Sequence, residues 1–179
     1  GPSPCRGEGI RVLNLFGYTG ASTLAAAAAG AEVTHVDASK PSVALARRNA
    51  ELSGLGAAPI RWIVEDAVRY CQREVKRGSR YHGVILDPPT YGHGPKGEEW
   101  KLTRDLPKLF ALIAELTGGA PRFLLATCHT PGVGAAELGA YLADGVFGSC
   151  AQGANTSALS LVDAQGRRLE SGAQARWPR

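Results

Sequence analysis

Methionine is absent from all 179 residues, position 1 included. That absence predicts a piece of a longer chain, with residues 1–9 as an N-terminal linker or remnant in which Gly1-Pro2-Ser3 is either native or an expression scar. Cysteine is sparse. Cys5, Cys71, Cys128 and Cys150 stand far apart with no Cys-x-x-Cys, which excludes zinc-ligand spacing and a dense disulfide framework and fits a reducing, cytoplasmic setting. His35, His82 and His93 lack ligand spacing as well, so no metal is expected and they read as structural or surface groups. The longest run of small apolar residues, Leu24 to Ala29, is far too short to span a bilayer, and no basic-then-apolar segment opens the chain. A membrane partner is not expected.

What remains is ordinary soluble composition: 44% hydrophobic and 20% charged residues exclude a disordered or fibrous chain. The length fits one domain, taken as residues 10–179. A net charge of +4 and a pI near 9.0 lean mildly toward polyanionic partners.

Strand and helix patterns alternate along the chain. Ile10 to Leu15 is an apolar run stopped by glycine, followed by an Ala-rich helix over 21–29 and a second β-branched run ending in Asp37. A helix entered at Pro41 runs to Gly54, Ile60 to Val64 is a third strand, and Asp66 to Lys76 a third helix. Gly83 to Leu86 is a fourth strand. A long loop over 90–97 then leads to a helix from about Glu99 to Leu116, with Pro107 as a kink. Phe123 to Thr127 is a fifth strand and Ala135 to Leu142 a helix. Two final strands, over 157–162 and 169–175, join at Gly166. The pattern predicts an α/β, Rossmann-like sandwich: a mostly parallel sheet of about seven strands, covered on both faces, with an antiparallel edge.

Ligands in such sheets sit beyond the carboxyl ends of the strands. The first strand ends in Asn14-Leu15-Phe16-Gly17-Tyr18-Thr19-Gly20, where glycines let backbone approach a ligand and a helix N-terminus offers free N–H groups. The second ends in Asp37, whose carboxylate can accept both hydroxyls of a ribose. The third ends in Glu65-Asp66-Ala67, able to read an adenine edge, and the fourth in Asp87-Pro88-Pro89-Thr90-Tyr91. Gly17-Tyr18-Thr19-Gly20 lacks the Gly-x-Gly-x-x-Gly spacing of a dinucleotide site. Pro95-Lys96-Gly97 is no P-loop, because it follows no strand and has no Ser or Thr after its lysine.

With these residues in view, the chain resembles the class I S-adenosylmethionine-dependent methyltransferases, and within them the large-subunit (23S) ribosomal RNA methyltransferase group. The resemblance rests on 12–20, His35-Val36-Asp37-Ala38-Ser39-Lys40, Asn49, Asp66, Asp87 to Gly92, 94–97, Trp100-Lys101-Leu102 and Ala175-Arg176-Trp177. It implies S-adenosyl-L-methionine as cofactor and RNA as partner. Asn14, Phe16, Gly17, Tyr18, Thr19 and Gly20 would line the methionine moiety, Asp37, Ala38 and Ser39 the ribose, Asp66 and Ala67 the adenine, and Asp87, Pro88, Pro89 and Tyr91 the target base. Relatives carry an N-terminal extension, in some a small RNA-binding domain.

In that motif Tyr91 could stack on an extruded base while Asp87 or backbone carbonyls accept from an exocyclic amine. Cys128, in Ala126-Thr127-Cys128-His129-Thr130, stands where RNA cytosine-C5 methyltransferases carry a nucleophile. A thiolate adding at C6 would make C5 enamine-like. His129 is adjacent, but neighbours on a strand face opposite ways, which weakens it as an activating base. The other reading makes Cys128 a small buried residue. Methylation of a guanine or adenine nitrogen, of a small molecule or protein, or a non-catalytic cofactor-binding module are the alternatives. Arg69, Arg73, Lys76, Arg77 and Arg80 share much of one helix face and form either a phosphate track or a solvated face. Lys96, Lys101 and Arg104 are better placed for RNA backbone. Oligomeric state is not legible.

Overall fold

The apolar run Val12, Leu13, Leu15 leaves only Asn14 polar, and β1 (Arg11–Leu15) is buried on both faces from Val12 onward, as a central parallel strand must be. A computed structural model describes residues 9–148 and 153–178. Residues 1–8 of the expected linker, with Cys5 among them, and Cys150 lie outside the described residues.

Around β1 the chain lays down β2 (Glu32–Asp37), β3 (Ile60–Val64), β4 (Gly83–Leu86), β5 (Tyr91–His93), β6 (Glu99–Lys101), β7 (Phe123–Cys128), β8 (Asn155–Val162) and β9 (Arg168–Trp177). Seven of these form one sheet in the order β3-β2-β1-β4-β7-β9-β8. The pairings β3/β2, β2/β1, β1/β4 and β4/β7 are parallel, and β9 runs antiparallel to both β7 and β8. The expected antiparallel edge is thus a hairpin whose inner strand, β9, reverses direction.

The helices are α1 (Ala21–Ala28), α2 (Lys40–Leu52), α3 (Ala67–Lys76), α4 (Leu102–Thr117) and α5 (Ala135–Leu142), the last continued by one π-turn over Ala143–Phe147. Tyr70 and Cys71 of α3, Leu106, Leu109, Phe110 and Ile113 of α4, and Leu138 and Leu142 of α5 pack into one large core with Leu13, Leu15, Leu86 and Leu124. Across the sheet, Ala27 of α1 closes on Val12 and Val33. Asp66 caps α3, its carboxylate accepting the Arg69 N–H at 2.9 Å, and Ser39 caps α2 with Pro41 in its first turn.

One expectation is corrected. The segment after Pro89 is not a plain loop running into a helix at Glu99: β5 and β6 pair as a hairpin, and α4 begins at Leu102. Glu99 and Lys101 are exposed while Trp100 is buried, a period-2 pattern that suits a strand. Pro107 sits in the second turn of α4, which continues through it.

Candidate active site

Strand order reverses between β1 and β4, and the segments leaving the carboxyl ends of β1, β2, β3 and β4 converge there. The β1–α1 turn carries unusual backbone: Phe16 (φ 58°) and Tyr18 (φ 45°) occupy the left-handed region although neither is glycine. Between them Gly17 donates its N–H to the Val36 carbonyl at 3.1 Å. A Cβ on Gly17 would stand 2.5 Å from the His35 ring, so only glycine fits. Asn49 of α2 donates to the Thr19 carbonyl at 3.0 Å and ties the turn from outside.

Beneath the turn lies a buried polar chain. Asn14 Nδ2 donates to Thr23 Oγ1 at 2.8 Å, which leaves the Thr23 hydroxyl proton for His35 Nδ1, also at 2.8 Å. This order puts the ring proton on Nε2, which has no partner of normal geometry. Burial dominates the electrostatics of His35, lowering its pKa to about 4 against the opposing pull of the Asp37 carboxylate and the Tyr18 backbone.

At the end of β2, Asp37 is held by two backbone donors: Tyr18 N–H to Oδ2 at 2.9 Å and Ser39 N–H to Oδ1 at 2.8 Å. Asp66 spends one oxygen on its cap, which leaves acceptor capacity for a ligand. At the end of β4, Asp87 Oδ1 accepts from the Thr127 hydroxyl at 2.7 Å and lies 3.4 Å from His129 Nε2. The hairpin braces the next residues. Trp100 Nε1 donates to the Pro89 carbonyl at 2.7 Å, Leu102 N–H to the Thr90 carbonyl at 3.1 Å, and Thr90 and Thr130 share a hydroxyl bond at 2.9 Å. Trp100 also meets Phe16, ring centroids 5.0 Å apart. Among the described residues no hydrogen bond reaches the Pro88 carbonyl.

Two cavities share this region, one of about 480 Å³ and one of about 170 Å³, with Phe16, Tyr18 and Asp87 in the walls of both. The larger is lined by Asp37, Ala38, Ser39, Asp66, Ala67, Pro88 and Pro89, and the smaller by Asn14, Gly17, Thr19 and Gly20. Every residue expected from sequence to contact the cofactor, the target base or the reacting carbon therefore lines one cavity or the other, except two. Tyr91 is 70% exposed on β5, opposite Lys101, and lines neither. Cys128 is fully buried in the main core. Alternation along β7 turns Leu124, Ala126 and Cys128 inward and leaves Thr127 to face the smaller cavity. The candidate nucleophile is not presented to the cleft, and burial with no hydroxyl or charge partner among the described residues suits the small-core-residue reading. Cys71, the other described free cysteine, is buried too, and burial pushes its thiol pKa up.

Sequence reasoning passed over Trp100 as a brace and Thr127 as an Asp87 partner, and it discounted His129, which lines the larger cavity. The Glu-Trp-Lys alternation carried the signal for Trp100. The signal for His129 is that it lies one residue past the end of β7, where strict alternation no longer applies.

The basic residues are largely spent within the fold. Arg69 pairs with Glu98, Arg73 with Glu65 and Glu74, and Arg77 with Glu74 at 2.9 Å. Lys101 and Arg104 both reach Glu99, and Arg104 also reaches Asp105. Pairing of Arg69, Arg73 and Arg77 suits the solvated-face reading of α3. Among the described residues no cluster of His, Cys, Asp and Glu could hold a metal ion, and no helix is long and apolar enough to cross a membrane.

A parallel sheet in this order, with carboxylates at three successive strand ends and Asp-Pro-Pro beyond β4, defines a Rossmann-like methyltransferase fold. Comparison with known proteins agrees. A SAM-dependent methyltransferase from Agrobacterium tumefaciens superposes with a TM-score of 0.86 at 38% identity, covering 95% of this chain and 56% of that one. SMU.776, solved in complex with SAH, superposes with a TM-score of 0.71 at 25% identity, covering 92% and 44%. Residues 5–144 match the family described as S-adenosylmethionine-dependent methyltransferase, and the chain belongs to that family.

Within the family it resembles the large-subunit ribosomal RNA group. Ribosomal RNA large subunit methyltransferase I of Aeromonas hydrophila is 38% identical over 85 residues, 47% of this chain and 21% of that protein. Methyltransferase K/L of Shewanella frigidimarina is 32% identical over 121 residues, 66% and 16%. The chain thus spans about a fifth or less of the length of these curated relatives. The donor set fits the family's cofactor: a backbone-anchored carboxylate at Asp37 suits ribose hydroxyls, Asp66 beside the α3 N-terminus suits an adenine edge, and a cleft of about 480 Å³ is of cofactor size.

Proposed function

We propose that the domain over 10–179 transfers a methyl group from S-adenosylmethionine to a nitrogen of a base in ribosomal RNA. The observation that carries the reading is the position of Asp87 in the walls of both cavities, next to a Pro88 carbonyl that no donor among the described residues uses. When bound, S-adenosylmethionine supplies an electrophilic methyl carbon on a sulfonium.

The protein's part is positioning. Asp37 and Asp66 hold the nucleoside end, and the Phe16–Gly20 turn lines the adjoining cavity. Asp87 and the Pro88 carbonyl accept the two N–H groups of an exocyclic amine, which aims its lone pair, and Trp100 keeps the Pro88-Pro89 segment from moving. An amine target needs no covalent residue, which accords with the burial of Cys128. The rRNA assignment draws on the names of the relatives, and a cytoplasmic setting goes with that substrate.

The test is incubation with large-subunit ribosomal RNA from a methylation-deficient strain, followed by nucleoside analysis. The expected product is an N-methylated guanosine or adenosine, with transfer retained in Cys128→Ala. A 5-methylcytidine product that disappears in Cys128→Ala would replace this reading with the covalent one.

A further inference from the structure

We propose that His129 accepts the proton released when the base nitrogen is methylated. This deepens the base-nitrogen reading and rests on it. The site is built by β9. Gly172 (φ 137°) has no Cβ, and one there would collide with the Cys128 carbonyl and stand 2.9 Å from His129 Nδ1. Glycine thus lets the β9 backbone close over the end of β7, so that the Ser171 carbonyl accepts a hydrogen bond from His129 Nδ1. A carbonyl can only accept, so Nδ1 carries the proton and the neutral ring keeps its lone pair on Nε2. That atom lies 3.4 Å from Asp87 Oδ1, on the wall of the larger cavity, with the side chain 53% exposed.

A lone pair facing a carboxylate oxygen gains nothing in the resting protein, whereas an imidazolium there would bond both partners at once. The pair is arranged for a proton that arrives at Nε2. During transfer the base nitrogen uses its lone pair to form the N–C bond as the S–C bond breaks, with those electrons leaving on sulfur. The nitrogen then carries one proton too many. The proton that leaves is the one shared with Asp87, beside which Nε2 lies: it passes to Nε2 of His129, giving an imidazolium that donates to Asp87 through Nε2 and to Ser171 through Nδ1, and water afterwards takes the proton away. Asp87 is the ionisable group that faces the ring among the described residues, and β9 presents the neutral Ser171 carbonyl.

Two measurements test this. In the free protein, long-range ¹H–¹⁵N correlation at neutral pH should show His129 with its proton on Nδ1. A proton on Nε2 would overturn the proposal. In single-turnover methylation of hypomethylated large-subunit rRNA, the rate of the wild type should fall along an acid limb. His129→Gln should be about 10–100-fold slower at neutral pH, within the usual range for a lost acid–base group, and flat across that limb, with S-adenosylmethionine binding by calorimetry unchanged. An unaltered pH profile in His129→Gln overturns the proposal. Absence of transfer by the wild type overturns the base-methylation reading and the proton-acceptor role with it.

Discussion

Acid should loosen this fold through His35 before its paired carboxylates protonate. The ring is fully buried, and its pKa in the folded protein is about 4 against 6.5 in an open chain. The folded value is the lower one, so between these limits the unfolded chain binds more protons, and stability falls as the pH drops through the window. The full gap corresponds to about 3 kcal/mol, and linkage between about pH 7.5 and pH 5 gives a loss of about 2 kcal/mol. Glu74 and Asp105 are held below their ordinary values of 4.5 and 3.8, so their contributions disappear only beneath this window. Urea unfolding of the wild type and of His35→Gln at the two pH values isolates the contribution of this ring. The variant should be less stable at neutral pH because it disturbs the Thr23 bond, yet its stability should change by no more than about 0.5 kcal/mol from this source. Equal losses in the two proteins would refute a neutral, buried His35.

Gly17→Ala should cost about 1–3 kcal/mol by overpacking against the His35 ring, read as a lower melting temperature together with weaker S-adenosylmethionine binding in calorimetry. Asp37→Ala removes the acceptor for the Tyr18 and Ser39 N–H groups and, on the proposed reading, for the ribose. Its cofactor Kd should rise by about 10–100-fold, the range for charge-assisted hydrogen bonds, and an unchanged Kd would move the ribose site elsewhere. Trp100→Phe keeps an aromatic contact with Phe16 but drops the bond to Pro89. It should lower the methylation rate by about 10-fold, as the loss of one hydrogen bond's worth of positioning would, with cofactor affinity unchanged.

The sheet, and the gathering of its strand-end residues around one cleft, were legible because each depends on local rules. Asn14 to Gly20, Asp37, Asp66 and Asp87 all stand at strand ends, and a strand end can be read from where an apolar run stops. Cys128 shows where that reasoning runs out. Motif position put it at the mouth of the site, whereas its side chain follows the alternation of β7 into the core, and that facing depends on how the strand sits between its neighbours. The placement of Tyr91 outside both cavities was hidden for a related reason: it sits exposed on the short β5–β6 hairpin, and pairing over three residues leaves a weak periodic signal. The basic residues of α3 were visible as a stripe, but their partners Glu65 and Glu98 come from other elements, and tertiary pairing is not encoded in spacing.

The two borders of the sheet differ in a way that bears on assembly. β3 is entered from Pro59 and carries an exposed Arg61, features that discourage another strand from docking. β8, Asn155 to Val162, has neither charge nor proline, is largely exposed, and ends in Leu161 and Val162 beside Leu169 of β9. Among the described residues no strand pairs with its outward backbone groups, so within them the sheet is open to growth on that side. Handling the protein at high concentration then becomes a matter of that single border, where one lysine in place of Ser160 would supply the missing guard.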